Sequence, residues 1–134
     1  MKSLILIIAI IIIFLSAIGC VKDPAIESLG MVQIENSIIT DTILINETAT
    51  AAIKASATDG CWSNLFVEFK KTDTYEYSIK AFGTFTCVEG GCACPAVMVY
   101  HDTIIDFQLY ERGTYIFRIQ KNRNNIIADT LIVK

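Results

Sequence analysis

The stretch YEYSIKAF, residues 75–82, decides the fold class of this chain. Aromatic or aliphatic side chains alternate there with polar ones, and only the final Phe82 departs from the pattern. A period of two places one set of side chains in a core and the other in water, whereas a helix needs apolar residues three and four positions apart. The stretch therefore predicts a half-buried β-strand.

The same alternation recurs on both sides of this stretch. Alternating segments lie at residues 51–55, 65–70, 104–109 and 115–120, and short apolar runs lie at 43–45 and 131–133. Turn-forming residues separate them, at 71–73, 89–91, 111–113 and 122–125. No segment carries a helical stripe. The pattern predicts an all-β fold, an antiparallel β-sandwich of about seven to nine strands, over residues 31–134.

A local motif refines this fold prediction. Leu109, Gly113, Tyr115 and Phe117 form the string L-x-x-x-G-x-Y-x-F. The string resembles the tyrosine corner of immunoglobulin-like (Ig-like) sandwiches, in which the phenol bonds to upstream backbone. The alternative is a turn glycine followed by an ordinary strand tyrosine. Phe117 stands where an immunoglobulin domain has its second core cysteine, so the inter-sheet disulfide of that family is not expected.

The N-terminal residues predict export. Lys2 precedes the apolar run 4–18, and Ala17-Ile18-Gly19-Cys20 follows the pattern of small residues before a cysteine. This segment resembles a bacterial lipoprotein signal, which implies that residues 1–19 are a signal peptide and that Cys20 is lipidated. Residues 20–30 are then the lipidated cysteine and a tether. The alternative is an uncleaved anchor, although this run of 15 residues spans only about 22 Å of a core about 30 Å thick.

Four short motifs extend the resemblance to the domain. They are Gly60-Cys61-Trp62, Cys94-Pro95-Ala96-Val97, Gly113-Thr114-Tyr115 and Asp129-Thr130. In this order they resemble small bacterial lipoproteins with an Ig-like domain. The resemblance implies an envelope location, with a lipid anchor in the outer membrane on its periplasmic or surface face. It implies no activity.

Cysteine number and location predict two disulfides. With Cys20 assigned to the lipid, Cys61, Cys87, Cys92 and Cys94 remain, an even number in an exported protein. Because Cys92 and Cys94 are so close, we expect each to pair elsewhere. We favour Cys61–Cys94 with Cys87–Cys92, since Gly90-Gly91 lets the short loop fold back. The swap, Cys61–Cys92 with Cys87–Cys94, is nearly as good.

The same cysteines offer an alternative metal site. Cys87, Cys92, Cys94 and His101, with Cys61 in reserve, could supply thiolates and an imidazole to zinc or Cu(I). Their spacing departs from the paired ligands of known zinc sites, and an oxidising compartment removes thiolates. We therefore expect no cofactor.

The remaining residues favour binding over catalysis. His101 is the only histidine, and the carboxylates Asp102, Asp106 and Glu111 are scattered along the predicted strands, so we expect no catalytic site and no enzyme. The net charge of −3 and the lack of a basic stripe argue against a nucleic-acid partner. We expect a lipid-anchored binding or structural module whose partner is an envelope protein or glycan. A metal-handling lipoprotein is the second hypothesis.

Overall fold

The structure is a computed structural model that describes residues 25–88 and 90–134. The predicted signal peptide and Cys20 lie outside these residues. The described chain is all-β, without helices, and no element in it is a helix long and apolar enough to cross a membrane. Its strands are β1 (Ala25–Ile39), β2 (Thr42–Ile43), β3 (Thr48–Ala57), β4 (Trp62–Asp73), β5 (Glu76–Val88), β6 (Val99–Gln108), β7 (Gly113–Asn122) and β8 (Asn125–Val133).

The strands form two sheets in a sandwich-like arrangement. The large sheet contains β2, β8, β7, β5 and β4, together with the first half of β1. The small sheet contains the second half of β1, then β3 and β6. β1 therefore belongs to both sheets, and its register shifts between Ile34 and Asn36, close to the crossing.

The prediction of a purely antiparallel sandwich is not confirmed, because the large sheet is mixed. β5 pairs with β7 in parallel, as does β2 with β8. After β5 the chain crosses to the small sheet and runs back through it as β6. β7 then returns to the large sheet beside β5 and in the same direction. A period-two pattern reports which face of a strand is buried and carries no information on strand direction.

The core lies between the sheets and is closed by aromatic rings. Phe69, Tyr77 and Phe117 extend from the large sheet, and Phe107 extends from the small one. The ring centroids of Phe69 and Phe107 are 5.0 Å apart, and those of Phe107 and Phe117 are 5.5 Å apart, which suits offset aromatic packing. Alanines on the inner face of β3 make room for these rings.

The domain begins earlier than the sequence indicated. Residues Ala25 to Gly30, which we expected in the tether, belong to β1 and pair with Val88 to Gly83 of β5. Ile26 and Leu29 remain 55% and 67% exposed, so backbone pairing forms this half of the strand and little core burial accompanies it. Without burial there is no hydrophobic alternation for sequence reasoning to detect.

Gly30 allows the Trp62 ring to pack on β1. A Cβ atom at position 30 would lie 2.7 Å from Cη2 of Trp62, closer than carbon atoms approach. The ring also lies against Gly83 of β5 and packs on the hydrophobic core. Glycine at both positions thus lets the only tryptophan cover the end of the sandwich.

The hydrogen bond predicted for the tyrosine corner is present. The Tyr115 hydroxyl donates to the backbone oxygen of Glu111 at 3.0 Å, and Tyr115 is buried. The edge of the Tyr75 ring packs on Tyr115, and its hydroxyl donates to the Glu111 carboxylate at 3.1 Å. Gly113, at φ +151°, lies in the turn between Glu111 and Tyr115, and a Cβ atom at this position would lie 3.0 Å from the Tyr75 ring. These contacts fix the start of β7.

Candidate functional site

The four described cysteines form two disulfides, Cys61–Cys94 and Cys87–Cys92. This is the pairing that the sequence favoured. The Cα atoms of each pair are 5.2 Å apart, a usual separation for a disulfide. Two backbone hydrogen bonds flank the longer link, from Gly60 N–H to Pro95 oxygen and from Thr86 N–H to Cys61 oxygen, both at 2.9 Å. The link therefore fastens the β5–β6 loop to the start of β4.

The structure does not assemble the metal ligands that we considered. His101 lies in β6 opposite Ala55, and in the described residues the only cluster of potential ligands joins Asp59 to Cys61 and Cys94. Both sulfurs of that cluster are bonded to each other, and a disulfide provides no thiolate for zinc or Cu(I). The Asp59 carboxylate instead accepts a hydrogen bond from the Cys61 N–H at 3.1 Å. Sequence reasoning did not identify Asp59.

The carboxylates considered for catalysis lie apart. Asp102 and Asp106 both lie on the solvent side of β6, about 13 Å apart along the strand. That separation exceeds the distance at which a carboxylate pair shares one substrate bond. Glu111 instead accepts the hydrogen bond from Tyr75 and raises the pKa of that phenol, partly through its negative charge. A raised phenol pKa makes proton transfer near neutral pH less accessible.

An exposed apolar row crosses the outer face of the small sheet. Ile38 of β1 lies opposite Ala52 of β3, which in turn lies opposite Ile104 of β6. Ile38 is 65% exposed and Ile104 is 72% exposed, whereas the small Ala52 leaves a depression between them. The groove has a volume of about 590 Å³. Its shape comes from one small side chain between two large ones.

The next row on this face is polar. Asn36 lies opposite Lys54, and Lys54 lies opposite Asp102. The Lys54 ammonium is 3.8 Å from the Glu35 carboxylate and 4.7 Å from the centre of the Tyr100 ring. Within the described residues, Lys54 forms its ion pair with Glu35 and none with Asp102.

β6 borders this face and has an unpaired edge. In the described part of the chain, β6 pairs with β3 and with no other strand. The strand is 10 residues long, contains neither Pro nor Gly, and keeps a continuous register with β3. Alternate residues of such an edge strand present their N–H and C=O groups to solvent.

The other sheet edges within residues 25–88 and 90–134 are shorter or irregular. The register of β4 shifts twice, between Ser63 and Phe66 and between Lys71 and Asp73. The end of β8 is covered by β2, which pairs with Ile132 and Val133. Bulges, lysines and short coverings are the usual means by which proteins protect sheet edges. β6 has no bulge, no lysine and, in the described residues, no covering strand; its charged side chains are Asp102 and Asp106.

Sequence reasoning missed this surface, although one signal was present. In the alternating segment 104–109, Ile104 is the apolar residue on the side otherwise occupied by Asp106 and Gln108. Ile38 lies outside the alternation that we recognised, and Ala52 has too little apolar area to mark either face. The row exists only because three strands distant in sequence are in register.

Comparison of the chain with protein-family models, with curated proteins and with solved structures gives no match.

Proposed function

We propose that this protein is a lipid-anchored, extracytoplasmic binding module of the bacterial envelope. Residues 1–19 are removed, Cys20 carries the acyl chains, and the β-domain is held outside the cytoplasm. Two disulfides support an oxidising compartment, since such bonds persist where thiols are not kept reduced. The lipoprotein-like signal supports the anchor.

The observation that carries the binding role is the exposed apolar row of Ile38, Ala52 and Ile104 beside an unpaired strand edge. Such a surface is costly to leave in water and is typical of an interaction site. The partner is an envelope protein or a glycan, and the module works by binding or assembly without catalysis.

The finer fold assignment is also a proposal. An Ig-like sandwich is supported by the bond from the Tyr115 hydroxyl to Glu111 backbone and by the two facing sheets. The parallel pairing of β5 with β7 departs from the antiparallel sheets of an immunoglobulin domain, so the proposal rests on the corner and on the two facing sheets.

The anchor is tested on the full chain expressed in a bacterium. We expect an intact mass that lacks residues 1–19, includes acyl chains on Cys20, and rises by about 4 Da when the disulfides are reduced. Cys20→Ser is the matched variant and is expected to be released from the membrane fraction. An unprocessed chain beginning at Met1, or one without fatty acid, overturns the proposed anchor.

The binding role is tested by photo-crosslinking in cells. A crosslinking amino acid replaces Ile104 in one variant and Ile126 in the other; Ile126 is 57% exposed on the large sheet. We expect a discrete adduct from position 104 and none from position 126. Equal labelling from both positions would contradict a binding surface on the small sheet.

A metal-handling lipoprotein remains the second candidate. The observation that favours it is the cluster of Asp59, Cys61 and Cys94, which would offer two thiolates and a carboxylate if the disulfide were reduced. The earlier ligand set of Cys87, Cys92 and His101 belongs to the same hypothesis. Free thiols together with stoichiometric zinc or copper in the purified protein would favour this candidate over the binding module.

A further inference from the structure

The unpaired edge of β6 presents a defined pattern of side chains. On the solvent side, Asp102, Ile104 and Asp106 follow one another at alternate positions. Asp102 and Asp106 form no ion pair within the described residues. The β3 residue opposite Asp106 is Thr50, which is uncharged. The edge therefore offers one branched apolar side chain between two carboxylates.

This pattern disfavours a second copy of the chain as the added strand. An antiparallel pair of β6 strands centred on Ile104 would place Asp102 opposite Asp106 of the other copy. A pair centred on Thr103 or Ile105 would place Ile104 opposite a carboxylate. Like charges directly opposite each other destabilise a sheet, as does a carboxylate beside buried apolar surface.

We propose that β6 accepts an extended segment of a partner protein as an additional strand. This proposal rests on the binding function proposed above. The segment carries a branched apolar residue that packs beside Ile104, and a Lys or Arg two positions before and two positions after it. The basic side chains then face Asp102 and Asp106. Because the pattern is symmetric, it suits either strand direction.

Two kinds of contact recognise this segment. Main-chain hydrogen bonds to the free groups of β6 provide affinity for any extended chain, as in other cases of strand addition. The apolar residue extends the row from Ile38 through Ala52 to Ile104 across a fourth strand, and opposite charges on both sides set the register. Specificity therefore lies with the two aspartates.

The proposal is tested on the full chain purified in non-ionic detergent, with two blocked peptides, TKTVTKT and TETVTET. We expect the basic peptide to bind more tightly by fluorescence anisotropy. The variant Asp102→Lys/Asp106→Lys should bind it about tenfold more weakly and should prefer the acidic peptide, because two attractive cross-strand pairs become repulsive.

The control variant is Glu27→Lys/Asp73→Lys, which changes the net charge equally at exposed positions of the large sheet. It should keep the wild-type preference. Amide hydrogen exchange by NMR should show added protection at alternate residues of β6 when the basic peptide binds.

Three results would overturn the proposal. They are equal affinity for both peptides, protection confined to β4 or β8, and a dimer through β6 in sedimentation experiments without peptide. None of these outcomes would affect lipidation of Cys20, and the mass of the adduct from position 104 separates a partner protein from a second copy of the chain. Failure of the strand-addition proposal is therefore distinguishable from failure of the binding function.

Discussion

Removal of the Cys61–Cys94 disulfide should destabilise the domain more than removal of Cys87–Cys92. The first closes a loop with a sequence separation of 33 and the second a loop with a separation of 5. In the chain-entropy description, the long loop contributes about 3–4 kcal/mol and the short loop about 2 kcal/mol. Domains of this size are stable by only about 5–15 kcal/mol, so the difference is measurable.

The structure adds a second reason for the larger effect. Cys94 is half-buried, and the adjacent Pro95 oxygen accepts the Gly60 N–H, so loss of the long link also frees the β5–β6 loop from β4. Cys92 is exposed, and the short link closes only the loop that follows β5. Loss of the short link should leave the hydrogen bond between Gly60 and Pro95 intact.

The assay is urea unfolding of the full chain, comparing Cys61→Ser/Cys94→Ser with Cys87→Ser/Cys92→Ser. The long-loop variant should show the lower midpoint and a steeper dependence on urea, because its unfolded chain exposes more surface. An equal or larger loss in the short-loop variant would refute the reasoning from loop length. Mass spectrometry of each variant checks that the remaining pair is still oxidised.

Three further predictions concern packing and ionisation. Gly30→Ala should lower the free energy of unfolding by about 1–3 kcal/mol through a clash with Trp62, and less in a Trp62→Leu background, by urea unfolding. Tyr115→Phe should cost about 1–2 kcal/mol in the same assay, because the Glu111 carbonyl loses its donor; an unchanged midpoint would exclude the corner. Burial raises the pKa of Tyr77 and Tyr115 above their usual value, so these phenols ionise more readily in the unfolded chain. Their contribution to stability should therefore be intact below about pH 10 and should fall as the pH rises above it. Tyr77→Phe should flatten that fall in alkaline unfolding experiments.

The sequence predicted the strands of the core well and their directions poorly. Residues 75–82 lie within or beside β5 and 115–120 lie within β7, because burial of one face imposes a period of two. The parallel pairing of these strands depends on the position of β6 in the opposite sheet, which no local pattern contains. The first half of β1 was missed for a related reason, since backbone pairing forms it while Ile26 and Leu29 stay exposed.

The candidate surface was less predictable than the core. Cysteine number and spacing were sufficient to favour the disulfides, because they depend on few residues close in sequence. The apolar row requires the register of β1 with β3 and of β3 with β6, so Ile38 and Ile104 become neighbours of Ala52 only in the folded chain. A surface defined across strands leaves no contiguous signature in the sequence.

The edges of the two sheets differ in a way that favours a specific partner. An unprotected sheet edge invites pairing with any chain, and proteins usually prevent this with bulges, lysines or short coverings, as β4 and β8 have here. β6 is long and regular, and its charged groups are two carboxylates, one on each side of Ile104. Carboxylates in these positions repel another copy of β6 and attract a basic strand. The same two residues thus protect the edge from self-association and select what joins it, which is why we assign recognition to Asp102 and Asp106.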